Sequence, residues 1–381
     1  HHLLHHHLLL FLHLHHHHLH HLLLLHLHHL LLLLPADHNA DFGNGWYNDH
    51  HFHYGYLVHA ASVAKHLGFD VDGRHHDEAE AAVSAIAMDY CNPFGRRKLL
   101  EGDVSVAPRS SYVPVSRHKD WYDGHSWATG LVAYPTGKSQ ESSSEAAHGY
   151  LGAALYGTAI GDDALANWGR LCLATEVRGA KTYWRMNPEG DIYDAAFAAN
   201  RVAGGVAGGA AVATTWFGSN PEFVHGINVI PVLTGLTGLL IDGADACAEA
   251  PILNAALSRE APAPPVAPEW RGFAVASLAA ADPHEAWSEA LELDDAAFDD
   301  GASKANLLHW VAAARAMRPA PSCGSMIALN ATQLPWNASE VDKTCDGNLA
   351  CVALGLSGLC CPQKDGYMFG CCPVLKQDTY N

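Results

Sequence analysis

The sequence predicts an all-α protein, and three observations carry that reading. Small and apolar residues recur at helical spacing through a succession of segments. Period-two alternation is nearly absent from the body of the chain. The segments are rich in Ala and Gly, and the loops joining them carry Trp, Tyr, His and Asp. Small residues permit close helix packing, and paired helices with functional loops at one end favour an α/α toroid over a four-helix bundle.

In chain order, residues 1–34 are almost entirely Leu and His without any period, and Lys65 is the first Lys or Arg. A secretory leader needs a basic start and a small-residue cleavage site, so this stretch is expected to be a low-complexity segment rather than a domain. A His-rich metal tract is the alternative. Residues 35–318 are expected to form one helical domain. A Gly/Asn-rich approach at 41–45 (DFGNG) leads into a helix over 50–66. A second spans 77–91, with Asp77 and Glu78 suited to its N-terminal turn. Residues 92–120 carry Pro93, Pro108 and Pro114 and read as a loop. Further helices are expected over 125–133, 142–160, 162–184, 191–202, 221–230, 268–280, 285–291 and 301–317, with a Pro/Ala-rich loop at 260–268. From Pro319 on, Pro, Cys and Gly predominate, which predicts a small disulfide-rich module over 319–381.

The 381 residues are 49% hydrophobic, enough for a sizeable core, and carry a formal net charge of −18. That charge argues against nucleic acid or an anionic membrane surface as partner. Outside residues 1–34, no run approaches the about 18 apolar residues of a membrane span. A monomer is expected. Seven of the ten cysteines lie at or beyond Cys323, beside sequons at Asn330 and Asn337. Such crowding points to disulfides, glycosylation and a secreted or cell-wall protein. The odd count leaves one thiol free or paired elsewhere. Zinc is the competing reading, but the tail has no CxxC pair.

Two stretches could carry chemistry. TGKSQESSSEAAH (136–148) holds Glu141 and Glu145, four apart. On one helix, that spacing puts their Cβ atoms about 5–6 Å apart on one face, a costly pairing of like charges that raises one pKa. Ser142-x-x-Glu145 is equally a capping box. NGWYNDHHFHYGY (44–56) places Asp49 beside His50, His51, His53 and several aromatics. Asp49 also suits the N-cap of the 50–66 helix. The histidines could ligate a metal, yet their spacing does not share a helical face and no HExxH pattern occurs. Aromatic faces beside carboxylates and amides suit the apolar faces and hydroxyl edges of sugars.

YNDHHFHYGY (47–56), DWYDGHSWATGL (120–131) and GKSQESSSEA (137–146) closely resemble glycoside hydrolase family 81, the endo-β-1,3-glucanases. The likeness continues in order through LATEVRGAKTYW (173–184), TTWFGSNPEFVHGINVIP (214–231) and DDGASKANLLHW (299–310). The resemblance implies an (α/α)6 toroid. It covers the later part of the family's catalytic region, so the toroid is expected to be incomplete on its N-terminal side. It implies Asp49 as general acid, Glu145 as the base that activates water, and Glu141 as companion carboxylate, in an inverting reaction needing no cofactor or metal. Tyr47, His53, His125, Trp127, Trp216 and His225 fall in matched segments and are expected to line a glucan groove. The function expected is endo-hydrolysis of β-1,3-glucan, with a non-catalytic glucan-binding protein as the alternative and a His-metal hydrolase as a third class.

Overall fold

The computed structural model describes residues 38–68, 76–93, 113–132, 134–258, 266–299, 301–317 and Cys323. The Leu/His segment, the Pro/Ala-rich loop at 260–265 and the Cys-rich tail past Cys323 lie outside the described residues, as does most of the 92–120 loop. The contact pattern separates two compact units. One takes in the chain up to Lys119, Trp127–Ala133 and His148–Leu173; the other takes in Asp120–Ser126, Tyr134–Ala147 and the chain from Ala174.

The first unit is built on α1 (His50–His66), α2 (His76–Tyr90), α3 (Ser143–Ala159) from His148 on, and the start of α4 (Asp163–Gly179). Val58, Ile86, Ala87, Tyr90, Tyr150, Ala153, Leu165 and Cys172 form its core. Each large apolar side chain buried there contributes about 1.5–3 kcal/mol. α1 and α3 approach so closely that a Cβ on Gly149 would stand 2.0 Å from the His51 carbonyl oxygen. Tyr90 donates to the Gly149 carbonyl at 2.9 Å, binding α2 to the same contact. The helix expected over 125–133 does not form. The N–H groups of Trp127, Gly130 and Leu131 are taken by His118 O, Asn48 Oδ1 and Trp46 O, partners far along the chain.

In the second unit α4 ends in a π-helical turn, Ala180–Trp184. A three-stranded antiparallel sheet follows the order β1 (Ser139–Gln140), β2 (Gly205–Ala207), β3 (Ala210–Val212). Its strands are too short for alternation to register in a sequence. Then come α5 (Pro221–Gly226), α6 (Thr234–Leu240), α7 (Gly243–Leu257), α8 (Arg271–Leu278), α9 (Pro283–Glu292) and α10 (Lys304–Met317). α6 and α7 were not foreseen, and the helix expected over 191–202 is only the turn Ala195–Ala198. α7 opens with a full capping box between Asp242 and Asp245 and tolerates Pro251 in its interior. Cys247 on α7 is disulfide-bonded to Cys323, so one tail cysteine pairs with the body. Closing 76 residues in this way contributes roughly 4 kcal/mol by chain entropy. The all-α class holds among the described residues. No helix among them is long and apolar enough to cross a membrane.

Candidate active site

Asp49 belongs to the first unit. The chain reaches it through left-handed backbone at Gly43 (φ 90°) and Tyr47 (φ 63°), and Asp49 itself has φ 58°. Non-glycine residues rarely adopt that region, and such strain gathers at functional sites. Asp49 occupies the N-cap position of α1, yet its side chain makes no capping hydrogen bond. The backbone does the holding instead. Its N–H donates to Ala128 O at 2.9 Å, and its carbonyl accepts from Phe52 and His53 N–H. These bonds fix the backbone at Asp49, and the helix cap is not made by its carboxyl.

Its neighbours are imidazoles and aromatics. Tyr47 is partly exposed and carries the Arg117 guanidinium 4.3 Å over its ring, which reserves one face. Arg117 and His50 both bind Asp89, at 2.9 and 2.6 Å, and hold that carboxyl below its usual range despite its burial. His53 is half-buried near Phe42, its pKa lowered by desolvation. Trp127 is half-buried, and its carbonyl bonds His118 at 2.8 Å. The histidine-rich stretch is dispersed over separate contacts. His51 stacks on His118 at 4.5 Å, and His59 bonds His148 at 2.6 Å.

Glu141 and Glu145 belong to the second unit. They do not share a helix: Glu141 follows β1, and α3 starts two residues later, with Glu145 in its first turn. Burial raises the Glu141 pKa to about 7, the Trp216 N–H lowers it, and the Glu145 charge raises it again. The Trp216 N–H reaches the Glu141 carboxyl at 2.5 Å, and Trp184 Nε1 donates to the Glu141 carbonyl at 2.9 Å. The preceding residue, Gln140, is buried and donates to Glu176, which also accepts from the N–H and hydroxyl of Ser126. Ser142 does cap α3, accepting from Glu145 N–H at 3.2 Å. This bond is the Ser142 half of the expected capping box, made with the Glu145 backbone.

Trp216 is 70% exposed and lies 5.6 Å from the Tyr134 ring, which makes an open aromatic surface beside Glu141. His125 and His225 are corrections to the expected groove. His125 is fully buried edge-on to Tyr183 and Trp184. His225 is fully buried on Glu249 at 3.0 Å. Neither offers a face to a ligand; membership of a motif did not reveal which way the rings turn. Trp184, Tyr134 and Glu176 were missed, although Trp184 and Glu176 lie within one of the matched segments.

A model of the glycosyl hydrolase family 81 C-terminal domain matches residues 33–311. The chain is 32% identical over 281 residues to the primary septum glucan endo-1,3-beta-D-glucosidase of Schizosaccharomyces pombe, covering 73% of this chain and 26% of that one. It is 32% identical over 280 residues to the glucan endo-1,3-beta-D-glucosidase of Glycine max, covering 72% and 39%. A solved mutant of glycoside hydrolase family 81 from Clostridium thermocellum matches with TM-score 0.55 and 28% identity, over 73% of this chain and 35% of that one. The chain thus spans well under half the length of these relatives.

Proposed function

The chain belongs to glycoside hydrolase family 81, and from that premise we propose that it hydrolyses internal 1,3-β-D-glucosidic linkages of β-1,3-glucan by single displacement. The relatives named for that activity support the reading. The observation in this chain that carries it is the Glu141 carboxyl: desolvated, raised to about 7, and set beside Glu145 and the open face of Trp216.

In this mechanism Asp49 gives a proton to the glycosidic oxygen as the bond to the anomeric carbon breaks. Glu145 takes a proton from the water that attacks the opposite face of the sugar, inverting its configuration. Such a displacement requires acid and base carboxyls roughly 6.5–9.5 Å apart. Glu141 keeps its proton up to about pH 7. Beside Glu145 it therefore donates a hydrogen bond without competing for the water's proton. Trp216, Tyr134 and the exposed part of Tyr47 offer stacking surfaces for glucosyl rings. The protein acts as a secreted or cell-wall monomer in this reading, and the Cys247–Cys323 disulfide agrees with an oxidising compartment.

Glu145→Gln is expected to cut reducing-sugar release from laminarin by about 10³-fold or more, since it removes the base while keeping the shape. Unchanged release would overturn the assignment. Binding to insoluble glucan with no turnover in the parent chain would favour the non-catalytic alternative.

A further inference from the structure

Ser142, Ser143 and Ser144 open α3, and all three are buried. Ser142 Oγ donates to Ile227 O at 2.7 Å. Ser144 Oγ donates to Ile230 O at 2.6 Å and to Ile227 O at 3.2 Å. Ser143 sends both its N–H (3.2 Å) and its hydroxyl (2.7 Å) to Asn228 Oδ1. Asn228 is 0% exposed and spends its amide hydrogens on Ala203 O and Val224 O, at 3.1 and 3.0 Å. Its side chain is thus fully used, two bonds received and two given.

The Asn228 carbonyl in turn accepts from Arg185 Nη2 at 3.3 Å. Arg185 is ion-paired with Glu249, and both side chains are almost wholly buried. Glu249 also binds His225 at 3.0 Å and Ser277 at 3.3 Å. Replacing a buried ion pair by apolar groups is often neutral or stabilising, so stability alone is a weak reason for one here. What this one does is immobilise the 225–230 segment on which the serines hang.

We infer that Asn228 is a positioning residue for Glu145, which it holds through Ser143 and the first turn of α3, with the Arg185–Glu249 pair as its anchor. The inference rests on the proposed hydrolytic reading. The first N–H groups of a helix have no partner within the helix and are where it frays. Here Asn228 takes the Ser143 N–H and Ser142 the Glu145 N–H, so the turn that aims Glu145 is fixed from both ends. Misplacing a catalytic group by about 1 Å costs on the order of 10²-fold in rate without changing what binds.

The test is a double-mutant cycle of Ser143→Ala and Asn228→Ala in the full chain. Laminarin kinetics are measured together with amide exchange over residues 143–147, with the parent chain and Glu145→Gln alongside. Ser143→Ala is expected to lower kcat about fivefold and Asn228→Ala about 10–100-fold, each leaving KM within about twofold. The two losses should not add, because both act through one hydrogen-bonded contact. Additive losses, or a rise in KM in place of a fall in kcat, overturn the inference. If Asn228→Ala does not fold, Ser143→Ala decides on its own: a fall in kcat at constant KM with faster exchange supports the clamp, and parent-like values overturn it. A parent chain with no turnover would sink the hydrolytic reading separately. Exchange then decides the clamp, with parent-like protection of 143–147 in both variants overturning it.

Discussion

Around Asp49 the chain is shaped by left-handed backbone, whereas around Glu141 and Glu145 it is held by hydrogen bonds to side chains. The first unit relies on left-handed residues, a close helix crossing at Gly149, and imidazoles kept neutral by burial. The second relies on paired charges, hydroxyl clamps and carboxyls that accept from several donors. The thiols divide the same way. Cys91 and Cys172 are buried and reduced in the first unit, Cys91 with its pKa pushed well up by desolvation, while Cys247 and Cys323 are bonded in the second. Shape tolerates little added volume, and hydrogen-bonded charge tolerates little change in proton balance. The first region should therefore fail under added volume, and the two should respond to pH in opposite directions.

The largest effect is expected from volume in the first unit. Gly149→Ala puts a methyl 2.0 Å from a backbone oxygen, which no rotamer change can relieve. Overpacking usually costs about 1–3 kcal/mol, and a clash with backbone belongs at or above the top of that range. Gly235→Ala in α6 meets nothing within 4 Å and should be neutral or stabilise by up to about 1 kcal/mol. Urea unfolding of both variants checks the contrast. A Gly149→Ala protein as stable as its parent would break the picture of a unit held by close approach.

The second effect is acid sensitivity in the same unit. Burial, reinforced by His59, lowers the His148 pKa from 6.5 to about 3. Between those values the unfolded chain binds a proton that the folded one refuses. The stability is therefore present above pH 6.5 and is lost as pH falls through that window. At about 1.4 kcal/mol per unit, lowering the pH from 6.5 to 5 removes about 2 kcal/mol. His148→Gln should abolish that share of the loss, measured as the change in unfolding midpoint between pH 7 and pH 5. An equally steep decline in the variant would mean that other groups carry it.

Much of this was legible in advance where local signals agree with the fold. The helix over 50–66 appears with both bounds as expected, and α3 and α10 lie within a few residues of theirs. Ala-rich helical spacing sufficed because their packing faces are continuous. The misses share a cause, which is that the deciding partner lies far along the chain. Residues 127–131 look helical until their N–H groups are seen on residues 46–48 and 118. α7 carries an internal proline, which reads as a break, and the strands are only two or three residues long. Glu141 and Glu145 were expected on one helix face because spacing cannot show where a helix begins. Asp49 was read correctly as an N-cap position. That its side chain makes no capping hydrogen bond is visible only in three dimensions.

The smallest effect sharpens the comparison most, because it runs with pH in the opposite direction. Glu141 titrates near 7 in the folded protein against an ordinary 4.5, with burial the main cause and Glu145 adding to it. Between those values the folded state holds the extra proton. Stability is therefore highest below pH 4.5 and declines as pH rises toward 7, opposite to the dependence at His148. The full window corresponds to about 3 kcal/mol, and residual solvent contact at Glu141 brings the expectation to about 1–2 kcal/mol. Glu141→Gln keeps the shape, and its amide oxygen can accept the Trp216 N–H. It should be more stable than the parent at pH 8, and indistinguishable from it at pH 4.5, in paired thermal melts. Its activity should also lose the decline above pH 7 that deprotonation of Glu141 would impose. A variant less stable than its parent at pH 8 would mean that the Glu141 charge is welcome where it sits, and that Glu141 does not hold the proton on which the proposed mechanism depends.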